Sequence, residues 1–467
     1  FAIWDAERKG VFLARDGFGI KPLYYADDGR TFRFASQVKA LLAGGGIDTA
    51  PCHAGRAGFY VWGYVPEPWT MFENIRALPS GATMWVDRSG ARAPQRYFDV
   101  TETLERAAEA PENWTRESLR EALLDTLQHH LVADVPVGAF LSAGLDSATI
   151  VALASELQEG AVRSVTMAFN EFDGTQFDEA ALAETVAALY RTEHRTQRVH
   201  GEDFHAEYER LQDAMDQPSI DGVNTYFVSK VTAETGLKVA MSGLGGDELF
   251  GGYPSFAEVP KLASGLGWIP GIRYAGRALR QISVPVVKRL TSPKYASLLE
   301  YGSTYPDAYM LRRALFLPWE LPGLMGDAEA ARDGWATLEA ETGRRRQVDR
   351  LGTPRAKVSA LEATWYMRSQ LLRDSDWAGM AHSLEIRVPL VDTHFFARIA
   401  GALAAPTPPS KRDMASTPAT PLPDAVLNRP KTGFAVPMRQ WLLRDDPSAT
   451  ERGFRGWSRK IAAECYG

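Results

Sequence analysis

The chain has 467 residues, with 45% hydrophobic and 24% charged residues and a formal net charge of −6. That is the composition of an ordinary globular protein of about two to four domains, with no overall pull toward nucleic acid or anionic lipid. Two cysteines far apart, Cys52 and Cys465, exclude a disulfide framework and a cysteine zinc site, and no apolar run approaches the ~18 residues that span a bilayer.

In chain order, residues 1 to about 97 read as β-rich. Short apolar runs at Phe1–Trp4, Gly10–Ala14, Leu23–Ala26, Thr31–Ala35 and Thr83–Val86 are separated by Gly/Asp turns, and a short helix is expected at Ser36–Leu42. Phe1 already sits in a strand-like run, so the chain is expected to begin inside a domain. The charged, Ala/Glu-rich tract Asp99–Trp114 reads as a linker. From Thr115, an expected N-cap, Leu119, Ala122, Leu123, Leu127 and Leu131 follow helical spacing. Strands then alternate with helices. Strands are expected at 135–141, 163–169, 194–199 and 237–242, and helices at 147–157, 178–190, 203–215 and 224–234. This βαβ rhythm predicts a parallel sheet with helices on both faces, whose ligand site lies beyond the C-terminal strand ends. Residues 253 to about 400 read as mainly helical. The tract Pro406–Pro423 holds six prolines and is expected to be a flexible loop or a lid that orders on binding.

The chemistry concentrates in two loops. Phe140-Leu141-Ser142-Ala143-Gly144-Leu145-Asp146-Ser147 ends one predicted strand and opens a helix. Unpaired N–H groups and the helix dipole there favour a phosphate-sized anion, and Asp146 fits if Mg²⁺ accompanies it. The competing reading of that turn alone is a helix cap; neither the Walker A pattern nor G-x-G-x-x-G is present. The second loop, Met241-Ser242-Gly243-Leu244-Gly245-Gly246-Asp247-Glu248-Leu249-Phe250-Gly251-Gly252-Tyr253, adds glycines for close approach and two carboxylates suited to Mg-pyrophosphate. A third region, Asn428-Arg429-Pro430-Lys431-Thr432-Gly433-Phe434, offers a lysine on a constrained loop.

These three regions resemble the synthetase domain of the glutamine-hydrolysing asparagine synthetases: SGGLDS at Ser142–Ser147, SGxGxDE[LV]FGGY at Ser242–Tyr253 and RxKxxF at Arg429–Phe434. Met380–Asp392 is similar to that family's MaxxxExRxPfLD stretch, and Ala14–Tyr25 to the ARDxxGxKPLYY of its glutaminase domain. The resemblance implies an α/β protein. It would hold part of an N-terminal-nucleophile glutaminase domain at 1–97, a linker at 98–114, and an ATP-pyrophosphatase domain with a parallel sheet and helical C-terminal part at 115–467. It implies adenylation of the aspartate side chain and amidation by glutamine-derived ammonia, giving asparagine, AMP and pyrophosphate. By the same resemblance, Ser142, Gly144, Asp146 and Ser147 would hold pyrophosphate and Mg²⁺, Leu141 and Met167 would line the adenine pocket, and Ser242 and Gly243 would contact the nucleotide. Asp247 would bind the metal with Asp146, and Lys431 would stabilise the α-phosphate transition state. The implied cofactors are ATP, as substrate, and Mg²⁺. The implied partners are small molecules (aspartate, glutamine or ammonia, ATP), with no nucleic acid, no membrane and room for a homodimer, in the cytoplasm.

Three departures stand out. Ala143 replaces a usual Gly. Leu244 stands where relatives carry Glu, or Tyr in β-lactam synthetases, and Leu supplies neither base nor donor. The family's nucleophilic cysteine is expected upstream of Phe1, and Cys52 and Cys465 read as spectators. Leu244 motivates the alternative of a specialised-metabolism ligase or cyclase with another acyl substrate, and a binding protein without activity is the third option. Arg15, Asp16 and Lys21 read as structural, His129, His130 and His194 as packing or surface residues, and Glu385 with Arg387 as a structural pair.

Overall fold

The computed structural model describes residues 1–158, 160–175, 177–290, 292–344, 346–430, 437, 441 and 454–466, with backbone only at 285–290, 293, 465 and 466. The first hundred residues form two antiparallel sheets. In one, β1 (Ala2–Asp5), β2 (Gly10–Ala14), β6 (Ala82–Asp87) and β7 (Gly90–Ala91) lie in that order, with β8 (Gln95–Arg96) also on β6. In the other, β3 (Tyr24–Asp27) lies between β4 (Phe32–Ala35) and β5 (Arg76–Ala77). The expected helix at 36–42 runs Val38–Ala43.

A second helix here, His53–Trp62, escapes the sequence reading. Its residues are nearly all buried, so it shows no polar face to mark a period. Gly55 and Gly58 sit where a Cβ would meet the Thr70 carbonyl oxygen at 2.0 Å and Pro66 at 2.4 Å.

The tract read as a linker is not irregular: it carries the helix Val100–Glu109. Asp99 caps it by accepting from Thr101 N and Glu102 N at 2.8 and 3.1 Å. Val100 and Leu104 are fully buried, against the helix Thr393–Ala404. Charge on the exposed residues hides this two-residue apolar face.

The second unit is the expected doubly wound sheet. Its strands are β9 (Val137–Phe140), β10 (Arg163–Phe169), β11 (Glu193–Val199), β12 (Val239–Met241) and β13 (Glu385–Arg387), in the order β11-β10-β9-β12-β13, all parallel. The order reverses between β9 and β12, which brings their C-terminal loops together at the topological switch point. Helices Leu145–Leu157, Ala180–Leu189, Gly201–Ala214 and Val223–Glu234 connect the strands within one or two residues of their expected ends. Thr115 caps Arg116–His130 in a capping box with Ser118. The strand β13 lies in a stretch read as helical; there Arg387 donates to Glu385 at 2.9 Å and to the carbonyls of His130 and Val132.

Polar contacts fasten the two units. Asp216 accepts from Val38 N and Lys39 N at 2.9 and 3.0 Å, capping a helix of the first unit. Lys21 pairs with Asp376 at 2.9 Å, while Asp16 accepts from Ile20 N and Lys21 N. Arg15 is buried on Glu67 and on the carbonyls of Gly19, Lys21 and Leu78. These three are structural residues, as expected. His194 on β11 likewise bonds Ser164 and Thr196.

If the 98–114 tract is packed core, Leu104→Ala costs about 2–5 kcal/mol, read as a lowered unfolding midpoint. An unchanged midpoint would return the tract to a linker.

Candidate active site

The backbone of β9 ends at Phe140, and Leu141 N still continues the ladder to Val165 O at 2.9 Å. Thr166 Oγ1 then donates to Leu141 O at 2.6 Å and fixes where the chain leaves the sheet. The next helix starts at Leu145, two residues earlier than expected, so Asp146 and Ser147 lie in its first turn. Gly144 is its N-cap and supplies no side-chain cap. Inside the loop Ser147 Oγ accepts from Ser142 N at 3.1 Å and lies 2.8 Å from Ser142 Oγ, and Ser142 Oγ accepts from Gly144 N at 3.2 Å. Ala143 is buried without a left-handed backbone, so a methyl in place of the usual Gly is unstrained.

The loop after β12 presses directly on the first. A Cβ on Gly243 would come within 2.8 Å of Asp146 Cβ, and one on Gly246 within 2.3 Å of Asp146 Oδ1. Gly245 has φ +95 and starts the short helix Gly246–Phe250. Asp247 and Asp146 meet on one cation, Lys411. Lys411 Nζ donates to Asp146 Oδ2 at 2.7 Å and to Asp247 Oδ1. Burial would lower the pKa of this ammonium, but the two carboxylates outweigh it and hold the lysine protonated. Glu248 does not join them. It is buried, accepts from Tyr253 OH at 2.7 Å, and is pushed up to about 7 by burial and then by the charge of Asp247.

Lys411 is the residue that sequence reasoning missed. It belongs to the Pro406–Pro423 tract, which is ordered against the site rather than a loose lid. The helix Lys411–Ala415 is capped by Ser410 and Asp413, and Met414, Thr417 and Leu422 are buried. A lysine after a Ser, in a proline-rich stretch, gives no periodicity; the Ser410/Asp413 capping box was the available signal.

Nine of the ten residues singled out from sequence line one cavity of about 700 Å³: Leu141, Ser142, Gly144, Asp146, Ser147, Met167, Ser242, Gly243 and Asp247. The tenth, Lys431, lies outside the described residues. Its neighbour Arg429 reaches the cavity and pairs with Glu179 at 3.1 Å. Leu244 also faces the cavity. Among the described residues no group of three or more His, Cys, Asp or Glu converges as a metal site. The donor set present is two carboxylates around one positive charge. That count fits Mg²⁺, which takes one or two carboxylates beside phosphate oxygens and water. Cys52 is buried, its thiol pushed up to about 12 chiefly by burial, and it does not line the cavity.

Further along the cavity stand Asp221 and Asp374. Asp374 is buried, accepts from Ser219 Oγ at 2.6 Å and Trp377 Nε1 at 2.9 Å, and is pushed up to about 7. Burial is the main cause, with Arg373 opposing and Asp221 adding to it. Burial also raises Asp221.

The asparagine synthase family profile matches residues 118–452, and a glutamine amidotransferase domain profile matches residues 1–98. The chain is 31% identical over 457 residues to the "Putative asparagine synthetase (glutamine-hydrolyzing)" of Mycobacterium bovis, covering 95% of this chain and 67% of that protein. It is 28% identical over 454 residues to asparagine synthetase (glutamine-hydrolyzing) 1 of Bacillus subtilis, covering 95% and 68%. It is also similar to the amidase chyE of Penicillium rubens, at 27% over 337 residues, covering 66% and 47%.

Two outcomes check the geometry. Gly246→Ala displaces the Asp146 carboxylate and lowers ATP-dependent turnover at least about ten-fold with little change in unfolding midpoint; unchanged turnover would separate the loops. Asp374 keeps its proton in the folded state after the unfolded chain loses its own near ~3.9. Its contribution to stability is therefore fully present below that value and falls as pH rises toward about 7. Asp374→Asn accordingly narrows the drop in unfolding midpoint between about pH 5 and about pH 8, measured by calorimetry; an equal drop in both proteins would place the titration elsewhere.

Proposed function

Because the chain belongs to the asparagine synthase family, we propose that it forms an amide from aspartate, ATP and ammonia, releasing asparagine, AMP and pyrophosphate. At the level of the family this is an ATP-dependent, glutamine-using amide ligase. The observation that carries the finer reading is the meeting of Asp146 and Asp247 on Lys411 at the mouth of two Gly/Ser loops. A site built to split ATP between its α- and β-phosphates needs donors for a departing pyrophosphate and cations for its charge, and little else from the protein.

In this reading the N–H groups of the first turn after Gly144, with the Ser142 and Ser147 hydroxyls, receive the pyrophosphate. Leu141 and Met167, both buried beside the cavity, supply apolar walls for the adenine. Asp146 and Asp247 would hold Mg²⁺, which neutralises charge on the leaving pyrophosphate when bound. Lys411 then turns from the carboxylates to the phosphates. Lys431 is assigned the charge developing on the α-phosphate. The aspartate side-chain oxygen bonds to the α-phosphorus as the bond to pyrophosphate breaks. Ammonia then bonds to the activated carbonyl carbon, AMP leaves, and ammonia's surplus proton is lost. The amidotransferase match at 1–98 supports glutamine as the source of that ammonia.

A second reading keeps the adenylation and changes the acid. Leu244 on the cavity wall favours it, since an apolar side chain there suits an acyl group with less polar surroundings.

Aspartate-dependent exchange of labelled pyrophosphate into ATP, with Mg²⁺, tests the reading. Exchange is expected with aspartate, and Asp146→Asn or Asp247→Asn lowers it at least about a hundred-fold. Exchange with another carboxylic acid and none with aspartate would install the second reading. No exchange with any acid would remove both.

A further inference from the structure

The chain-wide charge of −6 hides one segment of opposite character. Residues 259–299 contain seven Lys and Arg and no Asp or Glu. Its longest element is the helix Ile272–Leu290, none of whose described residues lines the cavity described above. A narrow stripe holds it to the molecule. Gly276 lies so close to the 298–301 helix that a Cβ would meet Glu300 N at 2.4 Å. One turn on, Arg280 is buried with its Nε 2.5 Å from Glu300 Oε2.

Between Arg273 and Ile282 the rest of the helix surface is open. Tyr274 and Ile282 are 80% and 78% exposed, Leu279 is also exposed, and Trp268 just before the helix is 76% exposed. At 100° per residue, Tyr274, Ala278, Ile282, Ala275 and Leu279 share one continuous arc. Arg273 and Arg277, both exposed, flank that arc on one side, between it and the buried stripe. Large apolar side chains are not left in water in this number on one helix without cause.

The geometry points to an anionic lipid surface as the occupant of this face: the 268–282 segment lies in the membrane interface. Trp268, Tyr274, Leu279 and Ile282 enter the headgroup region while Arg273 and Arg277 meet lipid phosphates. An amphipathic helix with aromatic and aliphatic residues on one arc and only basic charge beside it has the composition of an interfacial helix. The alternatives fit less well. A second copy of this chain seated on the same face would bring arginines against arginines, which a self-complementary interface cannot absorb. A nucleic acid would match the arginines but leave the aliphatic arc uncovered. Among the described residues no helix is long and apolar enough to cross a membrane, so the attachment is to the surface.

The test is co-sedimentation of the full chain with phosphatidylcholine vesicles, with and without phosphatidylglycerol. Binding is expected only to the anionic vesicles and falls as salt is raised. The double variant Tyr274→Glu, Ile282→Glu removes the apolar arc, and the separate variant Arg273→Glu, Arg277→Glu reverses the flank. Each is expected to lower the bound fraction at least about ten-fold, with the unfolding midpoint and pyrophosphate exchange in solution unchanged. Absence of binding to anionic vesicles overturns the proposal, as does binding that survives both variants. Light scattering that shows a dimer dispersed by the apolar variant, without vesicle binding, hands the face to a second copy.

Discussion

The site depends on one steric constraint: two loops must touch where the sheet reverses its order. Gly243 and Gly246 allow it, because a methyl on either would strike Asp146. With the loops in contact, Asp146 and Asp247 come from separate strands to one point and share Lys411. Parallel order, Ser/Gly turns and paired acids are thus parts of one solution. The sheet delivers the loops, the glycines let them close, and the closure concentrates negative charge that only a cation can stabilise.

Much of this was legible because it obeys simple periodicities. Four of the five strands of the parallel sheet were placed within a few residues: three are short apolar runs, and the fourth, the polar edge strand Glu193–Val199, was carried by the alternation of strands and helices around it. The acid in the first helical turn was legible as a puzzle, answered by the second acid a hundred residues on. The elements that escaped share a physical reason: their apolar faces are short or lack contrast. His53–Trp62 is buried nearly all round, Val100–Glu109 hides two apolar anchors among charges, and β13 is three residues long. Lys411 escaped because a proline-rich segment shows no periodicity, and its one local signal, the Ser410/Asp413 capping box, marks a helix start without saying which site the helix meets.

The ionic arrangement also explains why the cavity holds both ionised and neutral carboxyl groups. Asp146 and Asp247 are partly open and face a lysine. Glu248 and Asp374 are buried on neutral donors, Tyr253 in one case and Ser219 with Trp377 in the other, and burial pushes each up to about 7. Environments that separate similar groups in this way let one cavity hold carboxylates paired with a cation beside carboxyls that keep their protons. Leu244 lines the same cavity and adds an apolar side chain to its wall.

Charge is distributed over the whole molecule by the same logic of local need. Averaged over the chain it argues against lipid, yet the average is the wrong quantity for a surface contact. A membrane senses charges within about a Debye length, ~8–10 Å, which is the scale of one helix face. On that scale the 259–299 segment is purely basic, and among its described residues the one buried arginine, Arg280, is neutralised by Glu300 from outside the segment. The pairing that holds the helix down therefore spends none of the exposed positive charge. Arg273 and Arg277 remain beside an apolar arc that packing within the chain leaves uncovered, so anchoring the helix and presenting it outward are served by different residues of the same turns.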